Sequence, residues 1–153
     1  MTRPIAFVGA PSSIGIRPYD DGQARYLDRA PGVLRERGLI RRLGAIDLGD
    51  VTPPAYHDYV RPPNRARNEE EVLVYSRSLA ARVATATANG QFALVLGGDC
   101  SIVLGCLLGA KTARDPLGLA YSLMTRSKRI DYETLKRRDP AFITAYESSG
   151  MKA

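Results

Sequence analysis

Apolar positions along the chain come in two spacings. Ile5-Ala6-Phe7-Val8 is a short continuous apolar run stopped at Gly9, and Phe92-Ala93-Leu94-Val95-Leu96 is a second, stopped by Gly97-Gly98. Runs of this length bounded by glycine predict buried strands. Ala45-Ile46-Asp47-Leu48 alternates as a strand does, and Gly49-Asp50 is read as the turn that closes it. The other spacing is helical. Val72, Tyr75, Leu79, Val83 and Ala86 recur at three- and four-residue intervals and make one apolar stripe. Asn68 stands where a capping residue belongs, Glu69, Glu70 and Glu71 occupy the first turn where the helix dipole favours acids, and Asn89-Gly90 stops the helix.

Shorter helical signals fill the gaps. Asp28 precedes Pro31, a residue suited to the first helical turn. Val33 and Leu34 would give that helix its apolar face, Gly38 its left-handed end, and Leu39 to Leu43 a short second turn. Asp99 or Ser101 is placed to cap a helix running to about Lys111. Asp115-Pro116 breaks the chain, and 117–121 is a candidate fourth strand. The order β-α-β-α-β-α-(β) predicts a three-layer α/β/α fold with a mainly parallel sheet. Two stretches stand outside it: 10–28, rich in Gly, Pro, Ser and Asp, and 52–67, with four prolines. Long ordered loops in compact domains usually carry function. Beyond Tyr121 the sequence becomes basic and only weakly periodic, so the reading divides the chain into 1–121 and 122–153.

The chain has 153 residues, a size for one domain with a real core. No apolar run approaches the length needed to span a bilayer, and the Met1-Thr2-Arg3-Pro4 start lacks the apolar region of a signal peptide. The expectation is therefore a cytoplasmic protein without membrane association. The formal charge of +6 comes from 22 basic residues, 18 of them Arg, interspersed with acids. Without zinc-finger spacing or an aromatic-basic run, this points away from nucleic acid. Cys100 and Cys106 sit six apart in an apolar segment, too far along one helix for a disulfide, and are read as reduced thiols.

The segment that carries chemistry is Leu96-Gly97-Gly98-Asp99-Cys100-Ser101. A buried strand delivers polar residues at its C-terminal end just before a helix, which is where open α/β sheets bind ligands. Asp99, Cys100 and Ser101 are thus expected to face a crevice. Asp50, at the end of the second predicted strand, either lines that crevice or is a solvated turn residue. Arg61, Arg65 and Arg67 are read as a solvated face, or as a meeting place for an acidic partner.

Gly97-Gly98-Asp99-Cys100-Ser101 resembles the Gly-Gly-Asp-His-Ser motif of the ureohydrolase family, which includes arginase, agmatinase and formiminoglutamase. Gly9-Ala10-Pro11 with its Gly-containing loop, Arg29-Ala30-Pro31-Gly32-Val33-Leu34-Arg35 with Gly38-Leu39, and Asp47-Leu48-Gly49-Asp50 are similar to family segments in the same order. The resemblance covers about residues 4–121, the N-terminal part of such proteins, and implies a shortened ureohydrolase-like fold. It also implies a manganese cofactor and a small guanidino or amidino substrate whose C–N bond is hydrolysed by metal-bound hydroxide; a shortened sheet would leave an open apolar edge, which favours homo-oligomers. Carried over residue by residue, it makes Cys100 the metal ligand in place of the motif's His and Asp99 its supporting carboxylate; no catalytic residue is carried over. The family's Asp-x-His-x-Asp and later Asp-x-Asp motifs are missing, and a two-metal site needs bridging carboxylates. A thiolate favours zinc over manganese, so the metal is manganese by resemblance, zinc by ligand chemistry, or none.

Three other readings compete. Gly9 to Gly15 resembles a dinucleotide loop only faintly, because Arg17-Pro18-Tyr19-Asp20-Asp21-Gly22 follows in place of a helix. Cys100 as a nucleophile would need a base, and the single histidine, His57, lies in a loop. The third is a non-catalytic or truncated paralogue, interrupted after about Tyr121, that acts by binding or oligomerising.

Overall fold

The computed structural model describes residues 2–19, 22, 23, 25–57, 63 and 66–113; the candidate strand at 117–121, the segment 122–153, and Arg61 and Arg65 lie outside them. Three parallel strands, β1 (Ile5–Gly9), β2 (Ile46–Asp50) and β3 (Phe92–Leu96), form a sheet in the order β2-β1-β3. The helices are α1 (Ala30–Glu36), entered through a 3-10 turn at Leu27–Arg29, then α2 (Leu39–Leu43), α3 (Glu69–Ala88) and α4 (Ile102–Ala113). Through α4, the predicted order of elements and the parallel sheet are both present.

The central strand explains the layering. Side chains alternate across a strand. Val8 joins a core cluster with Val72, Tyr75, Leu79 and Val83 of α3. Phe7, its neighbour, turns the other way and lies under the guanidinium of Arg35 on α1, 4.8 Å from ring centre to Cζ. Helices therefore cover both faces of β1, whose Ala6, Phe7 and Val8 are fully buried, as parallel sheets require. Ala93 and Val95, in register with Ala6 and Val8, join the α3 side.

The stripe on α3 is buried as its spacing predicts, and the Tyr75 hydroxyl donates to the Val51 carbonyl at 2.9 Å. Burial holds the Tyr75 phenol well above its usual range, so it stays a neutral donor.

Four local expectations need correction. Gly49-Asp50 does not turn the chain. The strand continues, with Gly49 at φ 76° and a register shift between Phe7 and Gly9 that places one extra residue in β2. Such a bulge lets Asp47 and Asp50, three apart, face the same way. Both then reach Arg35, which donates from Nε and Nη2 to Asp47 (2.8 and 3.0 Å) and from Nη1 to Asp50 (2.7 Å). Val33 is exposed, because α1 turns Pro31, not Val33, toward the sheet. β3 is only half covered, with Phe92 at 55% exposure, since among the described residues it pairs on one side alone. Asn68 heads α3 in a left-handed conformation with no side-chain cap; its amide donates instead to the Ile14 carbonyl at 2.7 Å, fully buried.

The Arg35 fork has a pH consequence. Its hydrogen bonds, above all, hold the Asp47 carboxyl below its ordinary 3.8. A carboxyl depressed in the folded state stabilises above its unfolded pKa and loses that stabilisation as pH falls through the folded one. We expect Asp47→Asn to be less stable than wild type at pH 7, with the gap closing below about pH 4. The pair is about one-third exposed, so the gap is about 1 kcal/mol or less. Thermal midpoints at pH 7 and pH 3 measure it; a gap that widens with acid contradicts the assignment.

Candidate functional site

The carboxyl ends of β1 and β3 lie side by side and are joined by backbone. Ala10 N donates to Leu96 O (2.9 Å), Asp99 N to Ser12 O (3.0 Å) and Gly98 N to Leu27 O (3.3 Å). Such proximity is possible because Gly97 and Gly98 carry no Cβ. Both have positive φ, 112° and 74°, and a Cβ on Gly98 would lie 2.6 Å from Ala10 O.

Asp99 and Cys100, adjacent in sequence, have opposite fates. Asp99 is 6% exposed. Its Oδ2 accepts from Gly15 N (3.1 Å) and Ser12 Oγ (3.5 Å), and its Oδ1 from Ser101 N at 2.8 Å, holding the entry to α4. The expectation that it faces a crevice does not hold for this side chain. Cys100 is exposed with a free thiol. Ser101 points inward, its Oγ buried without a hydrogen-bond partner. Cys106, also free, packs against the core of α3; burial pushes its thiol up to about 11, which leaves it protonated and unreactive at neutral pH.

The other predicted residues are dispersed. His57 is exposed in the stretch after β2. Asp50 is held by Arg35. Arg67 donates to the Tyr56 hydroxyl at 3.2 Å. A cleft of about 220 Å³ opens among Ser13, Ile16, Arg17, Arg25, Tyr26 and Tyr56, within and beside the long first loop; neither Asp99 nor Cys100 lines it. Sequence reasoning did not find this cleft, and the only signal for it was the length of the loop.

A manganese site is a demanding test for these residues. Among the described residues, no group of three or more His, Cys, Asp or Glu side chains converges on one point. At the strand end, the carboxylate is committed to two amides and a hydroxyl, and the thiol is a soft donor where manganese takes oxygen and imidazole. The donor set among the described residues does not fit manganese. Nor does any helix among the described residues have the length and apolarity to cross a membrane.

A parallel α/β sheet with Gly97-Gly98-Asp99 at the end of its third strand is the arrangement that the ureohydrolase resemblance implies. The chain belongs to the arginase family, whose model matches residues 4–120. It is 33% identical over 125 residues to the arginase of Bacillus caldovelox, covering 78% of this chain and 40% of that protein. Against human Arginase-1 it is 32% identical over 126 residues, covering 78% and 37%. The solved B. caldovelox arginase superposes with a TM-score of 0.64, covering 76% of this chain and 39% of the other. The chain thus spans about two fifths of the length of these relatives.

Proposed function

We propose that this chain carries the N-terminal framework of an arginase-type hydrolase, in residues 1–121, and does not by itself hydrolyse guanidino or amidino C–N bonds. One observation carries the reading: at the motif's metal position stands an exposed thiol, and the carboxylate next to it in sequence, Asp99, is turned into the protein and accepts three hydrogen bonds. No hydrolytic step is assigned to Cys100 or Asp99. Manganese is the family's metal by resemblance; the ligand chemistry of Cys100 argues for zinc or for no metal. Two free cysteines suit a reducing compartment such as the cytoplasm.

The test is urea release from arginine or agmatine by the purified 153-residue protein with added manganese. The expected rate equals the protein-free blank, and sustained release above it removes the proposal.

A second reading, an interaction protein that self-associates, is favoured by apolar surface. Leu73 and Val74 on α3 and Leu104 and Leu108 on α4 are about half exposed, and β3 has one unpaired side among the described residues. Light scattering on the same preparation distinguishes the readings: a metal-free oligomer supports association, and a monodisperse metal-loaded species supports the enzyme relative.

A further inference from the structure

Several polar groups of Ser12 to Gly15 close on two residues from distant parts of the sequence, Asp99 and Asn68. Ser12 O accepts from Asp99 N, Ser12 Oγ reaches Asp99 Oδ2 and accepts from Ile14 N, and Gly15 N donates to Asp99 Oδ2. From the other side, Asn68 Nδ2 donates to Ile14 O. Ser12, Ile14, Asn68 and Asp99 are all buried. Space is as tight as the bonding: a Cβ on Gly15 would lie 2.7 Å from Asp99 Oδ1 and 2.9 Å from Ser101 Cβ.

We propose that Asp99 and Asn68 are positioning residues that clamp the first loop between the end of β3 and the start of α3, and so set the place of Cys100 and the wall of the cleft. The clamp reaches both. Asp99 Oδ1 holds the amide of Ser101, the residue after Cys100, while the loop it grips continues into Ser13, Ile16 and Arg17 of the cleft wall. A carboxylate is the group this junction requires, because it accepts from three donors at once and donates to none. An amide in its place would set an NH2 against a backbone N–H. Asn68 completes the arrangement from a backbone conformation unusual for a non-glycine residue, φ 47°, which the buried bond to Ile14 holds in place.

Amide hydrogen exchange and thiol labelling of the full chain test it. In Asp99→Asn, exchange at Ile14 and Gly15 is expected to rise about ten- to a hundredfold, the range for losing hydrogen bonds to a charged group. Cys100 labelling by a disulfide reagent is expected to change severalfold. Amides of α3 around Leu79 and the slow labelling of Cys106 are expected to stay as in wild type, which a general loss of stability would not allow. Unchanged exchange at residues 12–15, or a parallel rise across α3, overturns the clamp. Should Asp99→Asn not fold, Asn68→Ser, which leaves Asp99 in place, must show a local rise of about two- to tenfold at Ile14 and Gly15, the range for losing a neutral hydrogen bond; full protection there overturns the proposal equally.

Discussion

Gly98→Ala is expected to lower stability by about 2–5 kcal/mol, combining about 1–2 kcal/mol of left-handed strain with about 1–3 kcal/mol of overpacking. The methyl would sit 2.6 Å from Ala10 O and 3.0 Å from Ser12 O, and both are backbone atoms with little room to move. Gly97→Ala should behave alike, since its Cβ would overlap the Pro31 ring at a φ of 112°. Gly90→Ala is the control. It shares the positive φ, 75°, yet nothing lies within 4 Å of its Cβ position, so only the conformational cost of about 1–2 kcal/mol remains. Urea unfolding midpoints of the three variants separate close approach from backbone strain. A Gly98→Ala protein no less stable than Gly90→Ala would show that the β1 and β3 ends are not packed as described.

The second large effect is a reversal of sign. Alanine for glycine inside a helix ordinarily stabilises by about 0.8–1 kcal/mol. In α4, Gly105 and Gly109 form the seam against α3. A Cβ at Gly105 would lie 2.8 Å from Ser76 O and 2.9 Å from Leu79 Cβ, and one at Gly109 would overlap Ala80 O and lie 2.8 Å from Val83 Cβ. Each alanine is therefore expected to destabilise by about 1–3 kcal/mol, because the helices would have to separate. Gly32 in α1 has open space around it, so Gly32→Ala should be neutral or mildly stabilising. Denaturant unfolding of the three single variants decides the matter: if Gly105→Ala and Gly109→Ala track Gly32→Ala, the close seam is wrong.

Much of the architecture is local in origin and was legible in the chain. The apolar runs at 5–9 and 92–96, the stripe on α3 and the stops at Gly38 and Gly90 are each set by neighbours within a turn or a strand. The family also follows from local text, because the Gly-Gly-Asp-Cys-Ser segment and the blocks before it keep their order. What misled were residues with two uses. Gly49 signals a turn and a bulge equally well, and only the pairing with β1 selects the bulge that brings Asp47 and Asp50 to one arginine. Asn68 is a good capping residue by type, but a buried carbonyl at Ile14 claims its side chain.

Sequence by itself determined the layered α/β fold, the family and the chemical identities at the strand end, since these depend on period, punctuation and residue type. Tertiary structure alone decided that neighbouring Asp99 and Cys100 part company, one buried as a joint between distant segments and the other left in solvent. The physical reason is that burial and hydrogen-bond partners come from residues 84 to 87 positions away, and nothing in a local pattern encodes which of two adjacent polar groups will meet them.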